Sequence, residues 1–480
     1  MNFTDDLLER FPASRPALVA IDREGARYVW AFGELLARSA GLAGALAARG
    51  VRREDVVLTL IGSRAEWVLS MLACFRLGAI ALPCNTQLRH KDLQYRINAA
   101  NPVIAVADEL YASELGDGLD VMTLVELAEI LDEERSQAPP ADPADLDPAD
   151  PAIITFTSGT TGDPRGALHP QSYLMGQLTQ AEHWFGARTG ELAWCTAATG
   201  WSKSARNCFI APWLCGAAAL VHDGRFDVAE RLEICEREGV NVLCQSPTEF
   251  RMLAKRGELR PFAQLRRLVS AGEPLNPEVI RTFREAVGLD VHDGFGQTET
   301  GAIAGGLVGD QVRDGSMGRP LPGIDVRIEE GELQLRAASC PTFFDRYLDS
   351  EPFADEWWRT GDHVSEDADG YLWYEGRADD LIVSAGYRIG PFEVESALVS
   401  HPAVAEAAAV AAPDEERGSV VRAIVVLREG GPPPGLAAEL QDHVKSQTAP
   451  YKYPRIVEFV DELPKTPSGK IKRAELRARG

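Results

Sequence analysis

Residues 157–166 form a segment of hydroxyl groups and glycines that could bind phosphate. The segment, TSGTTGDPRG, directly follows an apolar run at 153–156. Gly159 and Gly162 allow the backbone to approach an anion closely, the hydroxyl groups offer hydrogen-bond donors, and Arg165 adds a positive charge. The segment does not fit the Walker A pattern GxxxxGK[ST]. From these residues alone, a phosphate-binding loop and an ordinary turn are both open.

Six further polar runs follow this segment along the chain. They lie at 270–274 (SAGEP), 294–301 (GFGQTETG), 359–362 (RTGD), 376–380 (GRADD), 384–388 (SAGYR) and 464–470 (PKTPSGK). Together, the seven ordered runs resemble the motifs of the adenylate-forming superfamily of AMP-binding enzymes. Within it, residues 199–204 (TGWSKS), 245–248 (QSPT) and 449–455 (APYKYPR) are most similar to the medium-chain acyl-CoA synthetase branch.

The resemblance implies an acid–thiol ligase, an AMP-forming acyl-CoA synthetase of fatty acid metabolism. Such an enzyme uses ATP to convert a carboxylic acid to acyl-AMP and pyrophosphate, and the thiol of CoA then displaces AMP. ATP, Mg²⁺ and coenzyme A are therefore the implied cofactors, and a small carboxylic acid is the implied substrate. Two alternatives stay open: an enzyme that loads an acyl carrier protein, and a nucleotide-binding regulatory or scaffold protein without turnover.

The implied catalytic residues are Lys470, Thr298 and Glu299. Lys470 would bridge the attacking carboxylate and the α-phosphate, because two anions must be brought together. Glu299, with Thr160, would hold Mg²⁺, and Thr298 would donate to the α-phosphate or the substrate carboxylate. Without the resemblance, Lys470 is a lysine of a basic tail, and Thr298 with Glu299 is a helix-capping pair.

The resemblance also assigns the nucleotide. Asp362 would accept both ribose hydroxyls, Arg377 would support the ribose and phosphates, and Phe295 would stack on the adenine. Phe295 replaces the tyrosine of many relatives and keeps the stacking face, while Arg165 replaces the usual lysine and keeps its charge. The full implied set is Thr157, Ser158, Gly159, Thr160, Thr161, Gly162, Arg165, Gly272, Glu273, Pro274, Asp293, Gly294, Phe295, Gly296, Gln297, Thr298, Asp362, Arg377, Arg388 and Lys470.

The last 100 residues would supply the CoA site. The resemblance places a hinge at Asp379, about which a C-terminal domain rotates between the two half-reactions. Rotation would withdraw Lys470, move Arg388 to phosphate contacts and bring the 384–388 run to the CoA tunnel. The implied CoA-binding residues are Ala385, Gly386, Tyr387, Arg417, Lys445 and Arg455.

The acyl pocket is expected around Trp201, Ser204, Asn207, Ala271 and Gly296. Gly296 stands where acetate-selective relatives carry a tryptophan that closes the pocket, so the resemblance implies a medium-chain, branched or aromatic acid. Activation of an amino acid would need a carboxylate to pair with the substrate ammonium group. Residues 200–216 contain none, and their only charged residues are Lys203 and Arg206.

Charge, composition and sequence pattern argue against nucleic-acid-binding, membrane and secreted proteins. The formal charge of −23 disfavours nucleic acid and anionic membranes as partners, so a few converging cations must serve the polyphosphates. The longest apolar stretch is too short for a membrane span, and the acidic N-terminus lacks the basic region of a secretory signal, which predicts a cytoplasmic protein. Eight cysteines without a CxxC pair predict buried free thiols. The resemblance allows a homodimer.

The elements that must position these residues are those of an α/β protein. Helical patterns, such as one over 28–49, alternate with short β-rich runs, which predicts two α/β sheet layers. We expect an N-terminal adenylation domain at 1–378, with α/β subdomains at 1–150 and 151–317 and a small β-barrel subdomain at 318–378. A small mobile α+β domain at 379–480 would follow the hinge.

Overall fold

A computed structural model describes residues 1–132, 139–157, 163–385, 387–465 and 471–479. Its strands, in chain order, are β1 (Pro16–Ile21), β2 (Arg27–Ala31), β3 (Val56–Leu60), β4 (Ile80–Pro83), β5 (Ile104–Ala107), β6 (Asp120–Thr123), β7 (Pro151–Phe156), β8 (Gly166–Pro170), β9 (Leu192–Cys195), β10 (Ala218–His222), β11 (Val242–Gln245), β12 (Arg267–Ala271), β13 (Val291–Gln297), β14 (Gly301–Gly305), β15 (Ser316–Pro320), β16 (Val326–Glu329), β17 (Glu332–Arg336), β18 (Arg346–Tyr347), β19 (Trp357–Glu366), β20 (Leu372–Arg377), β21 (Ile382–Ser384), β22 (Tyr387–Ile389), β23 (Val404–Asp414), β24 (Gly418–Leu427) and β25 (Ile456–Phe459).

The α-helices are α1 (Phe3–Leu8), α2 (Phe32–Ala48), α3 (Ala65–Leu77), α4 (His90–Ala100), α5 (Glu109–Ala112), α6 (Leu124–Leu131), α7 (Ser172–Gly176), α8 (Leu178–Gln180), α9 (Ser202–Ala205), α10 (Ala211–Leu214), α11 (Val228–Arg237), α12 (Pro247–Arg256), α13 (Pro277–Val287), α14 (Pro391–Val399), α15 (Leu436–Gln447) and α16 (Arg473–Ala478). Two π-helical turns, Ala181–Phe185 and Arg206–Ile210, lie among the helices between β8 and β10. Among the residues described, every helix is too short or too polar to cross a bilayer.

The smaller of the two large sheets has seven strands, in the order β18-β8-β7-β4-β3-β5-β6. Its interior strand β3 (VVLTL) is buried at every position, as is typical of a parallel strand covered by helices on both faces. The antiparallel hairpin β7–β8 forms one side of the sheet and ends at the edge strand β18. The phosphate-loop candidate therefore joins β7 to β8.

The larger sheet has thirteen strands, in the order β16-β17-β19-β20-β15-β14-β13-β12-β11-β9-β10-β1-β2. β1 pairs in parallel with β10, and this places the first hairpin of the chain in the larger sheet. β7 and β8, in contrast, belong to the smaller sheet. The expected subdomain boundary at residue 150 therefore does not separate the two sheets, because strand pairing crosses it in both directions.

Strands β15, β16, β17, β19 and β20 form an antiparallel group that continues the large sheet through β15. Within it, β17, β19 and β20 lie side by side and bring Asp362 opposite Arg377. This β-rich group corresponds to the region that the sequence predicts from residue 318 onward.

The C-terminal unit has its own core. Strands β23, β24 and β25 form a three-stranded sheet, and helices α14 and α15 bury Val394, Leu398, Leu440 and Val444 against it. The unit touches the rest of the chain at β20, where a Cβ on Gly390 would lie 2.1 Å from the Glu375 carbonyl oxygen. The predicted α/β class with a smaller α+β C-terminal unit is confirmed.

The main core lies between the two large sheets. Helices α2 and α3 and the π-helical turns fill this space, and Trp67, Trp184 and Trp213 are fully buried there. Burial of large aromatic side chains stabilises the layered arrangement, at roughly 25 cal/mol per Å² of apolar surface. All eight cysteines are free, seven of them buried and Cys215 half-buried, as predicted.

Candidate active site

The site is built around the hairpin of β13 and β14. β11, β12 and β13 are parallel neighbours whose carboxyl ends meet at one edge, and β14 then reverses direction. Open α/β sheets commonly bind ligands outside the carboxyl ends of their parallel strands, which makes this edge the candidate site. Thr298, Glu299 and Thr300 form the turn of the hairpin, so the alternative of a helix-capping pair is wrong.

Glu299 is held in place by a tyrosine. Its side chain is buried, and its Oε1 accepts a hydrogen bond of 2.6 Å from the Tyr347 hydroxyl. Burial and the negative charge of Glu299 raise the pKa of Tyr347, so the phenol stays protonated and donates. The backbone is fixed as well, because the Phe344 N–H donates to the Glu299 carbonyl at 2.8 Å.

The carboxylate of Glu299 fits a magnesium ion that is shared with ATP. Mg²⁺ in phosphate sites is typically bound by one or two carboxylates, phosphate oxygens and water. In the described ranges no three His, Cys, Asp or Glu side chains converge on one point, so a cage made only of protein ligands is not formed there. Thr160, the other predicted ligand, lies outside the described residues.

Two hydrogen bonds between Thr157 and Arg165 close the base of the phosphate-loop candidate. The Thr157 N–H donates to the Arg165 carbonyl at 2.9 Å, and the Arg165 N–H donates to Thr157 Oγ1 at 3.0 Å. The Arg165 guanidinium lies 3.7 Å from the centroid of the Tyr347 ring and pairs with Asp349 at 2.7 Å. Arg165, Tyr347 and Glu299 thus form one chain of contacts. Ser158, Gly159, Thr160, Thr161 and Gly162 lie outside the described residues.

Asp362 and its neighbours form the candidate ribose site. Gln297 Nε2 donates to Asp362 Oδ2 and to the Thr360 carbonyl, both at 2.7 Å. Arg377 Nη1 donates to the same carbonyl at 3.0 Å and lies 3.5 Å from Asp362 Oδ1. Trp358 Nε1 donates to Gln297 Oε1 at 3.0 Å, which fixes the orientation of the amide. The carboxylate is therefore buried, oriented and neutralised before any ribose binds.

The predicted adenine site lies between the ends of β12 and β13. Gly272 follows β12 with a φ of +108°, a conformation that L side chains rarely adopt. Glu273 Oε2 accepts from Thr248 and Arg251, both at 3.0 Å. Phe295 is half-buried and packs against the main core. Pro274 belongs to the run at 270–274, and Gly294 belongs to the run at 294–301.

Asp293 lies beneath this site as a buried carboxyl group. Burial raises its pKa to about 8, and the N–H groups of Gly294 and Leu275 oppose the rise by donating to it. At neutral pH the carboxyl group is therefore mostly protonated and can donate a hydrogen bond as well as accept one.

The predicted acyl residues lie on α9, on the following π-helical turn and on β12. Ser204 Oγ donates to the Trp201 carbonyl at 2.6 Å, and Asn207 accepts from Gln180 Nε2 at 3.1 Å. Ala271 ends β12, and its carbonyl accepts from Lys203 Nζ at 2.8 Å. At Gly296 a Cβ would lie 1.9 Å from the Gly301 carbonyl oxygen, so the close approach of the two hairpin strands itself requires glycine.

The described CoA candidates form two clusters in the C-terminal unit. Tyr387 is exposed and stacks on Tyr451 with 4.3 Å between ring centroids, and Ala385 N–H donates to the Arg417 carbonyl at 3.0 Å. Lys445 and Arg455 both lie over the ring of Tyr453. Gly386 lies outside the described residues.

Arg388, Asp379 and Lys470 stand apart from those clusters. Arg388 donates to the Glu330 carbonyl at 3.0 Å, at the turn between β16 and β17. Asp379 lies 3.8 Å from Arg377 Nε, just after β20. Lys470 lies outside the described residues.

Sequence reasoning missed Tyr347 and Trp358, which hold Glu299 and Gln297 in position. Neither lies in one of the motif runs. Tyr347 lies on β18 and Trp358 on β19, and their side chains reach Glu299 and Gln297 across about 50 to 60 residues of sequence. Such long-range contacts have no local signal in the sequence.

Comparison with known proteins agrees with this arrangement. The AMP-binding enzyme family matches residues 5–339, and the AMP-binding enzyme C-terminal domain matches residues 393–470. Acyl-coenzyme A synthetase ACSM4, mitochondrial, of Homo sapiens is 39% identical over 99% of this chain and 90% of that protein. The uncharacterized acyl-CoA ligase YtcI of Bacillus subtilis (strain 168) is 38% identical over 98% of this chain and 95% of that protein.

Solved structures share the fold over the whole chain. A benzoate CoA ligase from Burkholderia xenovorans LB400 superposes with a TM-score of 0.87 at 28% sequence identity, covering 99% of this chain and 100% of that one. The resemblance to the adenylate-forming superfamily and its medium-chain acyl-CoA synthetase branch is confirmed. The chain belongs to the AMP-binding enzyme family, as one of its acyl-CoA synthetases.

Proposed function

We propose that this enzyme activates a carboxylic acid larger than acetate and that the β13–β14 hairpin carries the chemistry. As an AMP-forming acid–CoA ligase, it uses ATP to convert the acid to acyl-AMP with release of pyrophosphate, and CoA then displaces AMP. The observation that carries the proposal is the convergence of Gln297, Thr298 and Glu299 with Asp362 and Arg165.

Charge neutralisation is the main task of the first half-reaction. The acid and the α-phosphate are both anionic, and their approach is disfavoured unless cations and N–H groups surround them. Glu299 would hold Mg²⁺ on the phosphates, Arg165 would add a guanidinium at the loop, and Lys470 would bridge the reacting oxygens. Asp362, already paired with Gln297 and Arg377, would accept the ribose hydroxyls.

Domain rotation would separate the two half-reactions. The chain passes from β20 into the C-terminal unit at residues 378–380, where the Ala378 N–H donates to the Gly361 carbonyl at 2.8 Å. Asp380 pairs instead with Arg473 and Arg477 of the C-terminal unit. Asp379, between these two anchored residues, is the position at which a change of backbone angles would turn the unit. This arrangement supports domains at 1–378 and 379–480.

A medium-chain, branched or aromatic acid is the proposed substrate class. Gly296 supports the class only through the resemblance, because acetate-selective relatives carry a tryptophan at this position. Within the hairpin, a Cβ at Gly296 would instead meet the Gly301 carbonyl oxygen. The name of the similar benzoate CoA ligase supports an aromatic member of the class. A cytoplasmic location and a homodimeric assembly stay predictions.

A screen of pyrophosphate release tests the proposal. Purified enzyme is incubated with ATP, Mg²⁺ and CoA in the presence of acetate, straight-chain acids of four to twelve carbons, branched acids or benzoic acids. We expect release with at least one larger acid and little with acetate. Asp362→Asn serves as the control, because it removes the negative charge and one of the two acceptor oxygens proposed for the ribose, and it should lower release for every acid. Acetate as the best substrate, or no release with any acid, would contradict the proposal.

A further inference from the structure

Arg206 is a buried cation without a carboxylate counter-ion in the described part of the chain. It opens the π-helical turn Arg206–Ile210, and 5% of its surface is exposed. Its Nε and Nη1 atoms have no hydrogen-bond partner among the residues described. No carboxylate of the described residues forms an ion pair with it. An unpaired charge in such surroundings is costly, so an arginine is retained here at the expense of stability.

The groups that face Arg206 are neutral. Burial and the positive charge of Arg206 lower the pKa of His169 to about 3, so its imidazole is uncharged at neutral pH. Burial raises the pKa of Tyr173, although the charge of Arg206 and a hydrogen bond with its side chain oppose the rise, so this phenol keeps its proton. Both side chains are almost fully buried and cannot neutralise the guanidinium.

Arg206 also lies beside the reacting hairpin. Its Nη1 is 3.4 Å from the position that a Cβ on Gly301 would occupy, and Gly301 pairs in register with Gln297. In the sequence it lies between Ser204 and Asn207, two residues proposed for the acyl pocket. The cation is therefore within a few residues of Thr298 on one side and in the proposed wall of the acyl pocket on the other.

We propose that Arg206 is a specificity-determining residue that binds an acceptor oxygen in the acyl part of the acid, and that a second carboxylate is the preferred group. This inference rests on the proposed function and narrows its substrate class. A carboxylate at this position accepts charge-assisted hydrogen bonds from the two unpartnered nitrogens. Because Arg206 is so close to the hairpin, the second group must lie only a few carbons from the reacting carboxyl group.

Three acids of matched shape test the proposal. Glutarate ends in a carboxylate, 5-oxohexanoate ends in a neutral carbonyl, and 5-methylhexanoate ends in an isopropyl group of nearly the same shape. For the wild-type enzyme we expect kcat/KM for acyl-AMP formation to be about tenfold or more higher for glutarate than for 5-methylhexanoate, because an apolar end leaves the guanidinium unpaired. Arg206→Met should reverse this order, while Arg206→Lys should preserve it in weaker form.

A matched variant separates selectivity from general damage. Arg267 is also buried, but its donors are directed to the Trp184 and Gly306 carbonyls. Arg267→Met should lower the activity towards all three acids and leave their ratios unchanged. Calorimetric titration of wild type and Arg206→Met with glutarate and 5-methylhexanoate, with AMP present, makes the same comparison without turnover.

The outcomes separate the two proposals. No pyrophosphate release with any acid would overturn the proposed function, while the titration would still test Arg206. Equal binding of glutarate by wild type and Arg206→Met, or a wild-type preference for 5-methylhexanoate, would overturn the role of Arg206. A preference for 5-oxohexanoate over glutarate would overturn the proposed preference for a second carboxylate and would show that Arg206 prefers a neutral acceptor.

Discussion

The two sides of the β13–β14 hairpin differ in how their charges are satisfied. On the nucleotide side, Asp362, Arg377 and Arg165 each have a partner within the protein. On the acyl side, Arg206 is buried with two nitrogens unpartnered. The proposed nucleotide side is therefore organised by contacts within the protein, whereas under the proposed role of Arg206 a ligand would complete the acyl side.

The largest expected effect comes from Lys470→Ala. The variant should lose acyl-AMP formation by roughly a thousandfold or more, because no other proposed cation bridges the reacting oxygens. Thioester formation from preformed acyl-AMP should be spared, since the second half-reaction would follow withdrawal of Lys470. Separate assays of the two half-reactions measure this difference, and equal loss of both would refute the assigned role.

Asp362→Asn tests the organised side directly. We expect KM for ATP to rise by about ten- to a hundredfold, because a charge-assisted hydrogen bond contributes about 1.5–3 kcal/mol. The ratio of activities between two acids should stay constant, which a steady-state comparison of hexanoate and benzoate checks. Asp349→Asn, at the partner of Arg165 on the same side, is the matched control and should have a weaker effect on ATP. A changed acid preference in Asp362→Asn would break the distinction between the two sides.

Tyr347→Phe should have a smaller effect than Asp362→Asn. The variant removes the 2.6 Å hydrogen bond to Glu299 but keeps the ring under Arg165. We expect about a two- to tenfold loss of kcat and a raised requirement for Mg²⁺, because a hydrogen bond to a charged carboxylate contributes about 1.5–3 kcal/mol and water can replace part of it at this half-buried position. Titration with Mg²⁺ at saturating ATP measures the shift. An unchanged Mg²⁺ dependence would show that Tyr347 does not influence metal binding.

The smallest expected effect is a pH dependence of stability that arises from Asp293. Its folded-state pKa of about 8 lies above its unfolded value, so the folded state binds more protons between the two values. Stability should therefore decrease as pH rises towards 8, by about 1 kcal/mol between pH 7 and 8, and then level off. Denaturant unfolding of wild type and Asp293→Asn measures this, and the variant should lack the slope. Parallel slopes in the two proteins would contradict the raised pKa.

The sequence was sufficient to predict the fold class, while the roles of the nucleotide-side residues stay predictions. Each motif run there combines residue types whose chemistry is specific, and the hydrogen bonds from Gln297 to Thr360 and Asp362 join 294–301 to 359–362. Element boundaries were less predictable. The helix expected over 28–49 begins only at Phe32, because Arg27–Ala31 pairs with β1 as a strand.

The acyl side could not be predicted to the same depth. Arg206 is one of only two charges in 200–216, but the sequence does not reveal that it is buried or that its nitrogens lack partners. The same limit applies to the subdomain boundary at 150, since the pairing of β1 with β10 joins segments about 200 residues apart. Burial and long-range pairing are decided by the whole chain, whereas motifs are local.

The tight contact at Gly390 has a consequence for the balance between domain orientations. A Cβ there would overlap the Glu375 carbonyl in the orientation described, in which the C-terminal unit lies against β20. Under the proposed rotation about Asp379, a methyl group at residue 390 would raise the energy of this orientation relative to a rotated one. Gly390→Ala should therefore shift the population of domain orientations without altering any group proposed to contact a substrate.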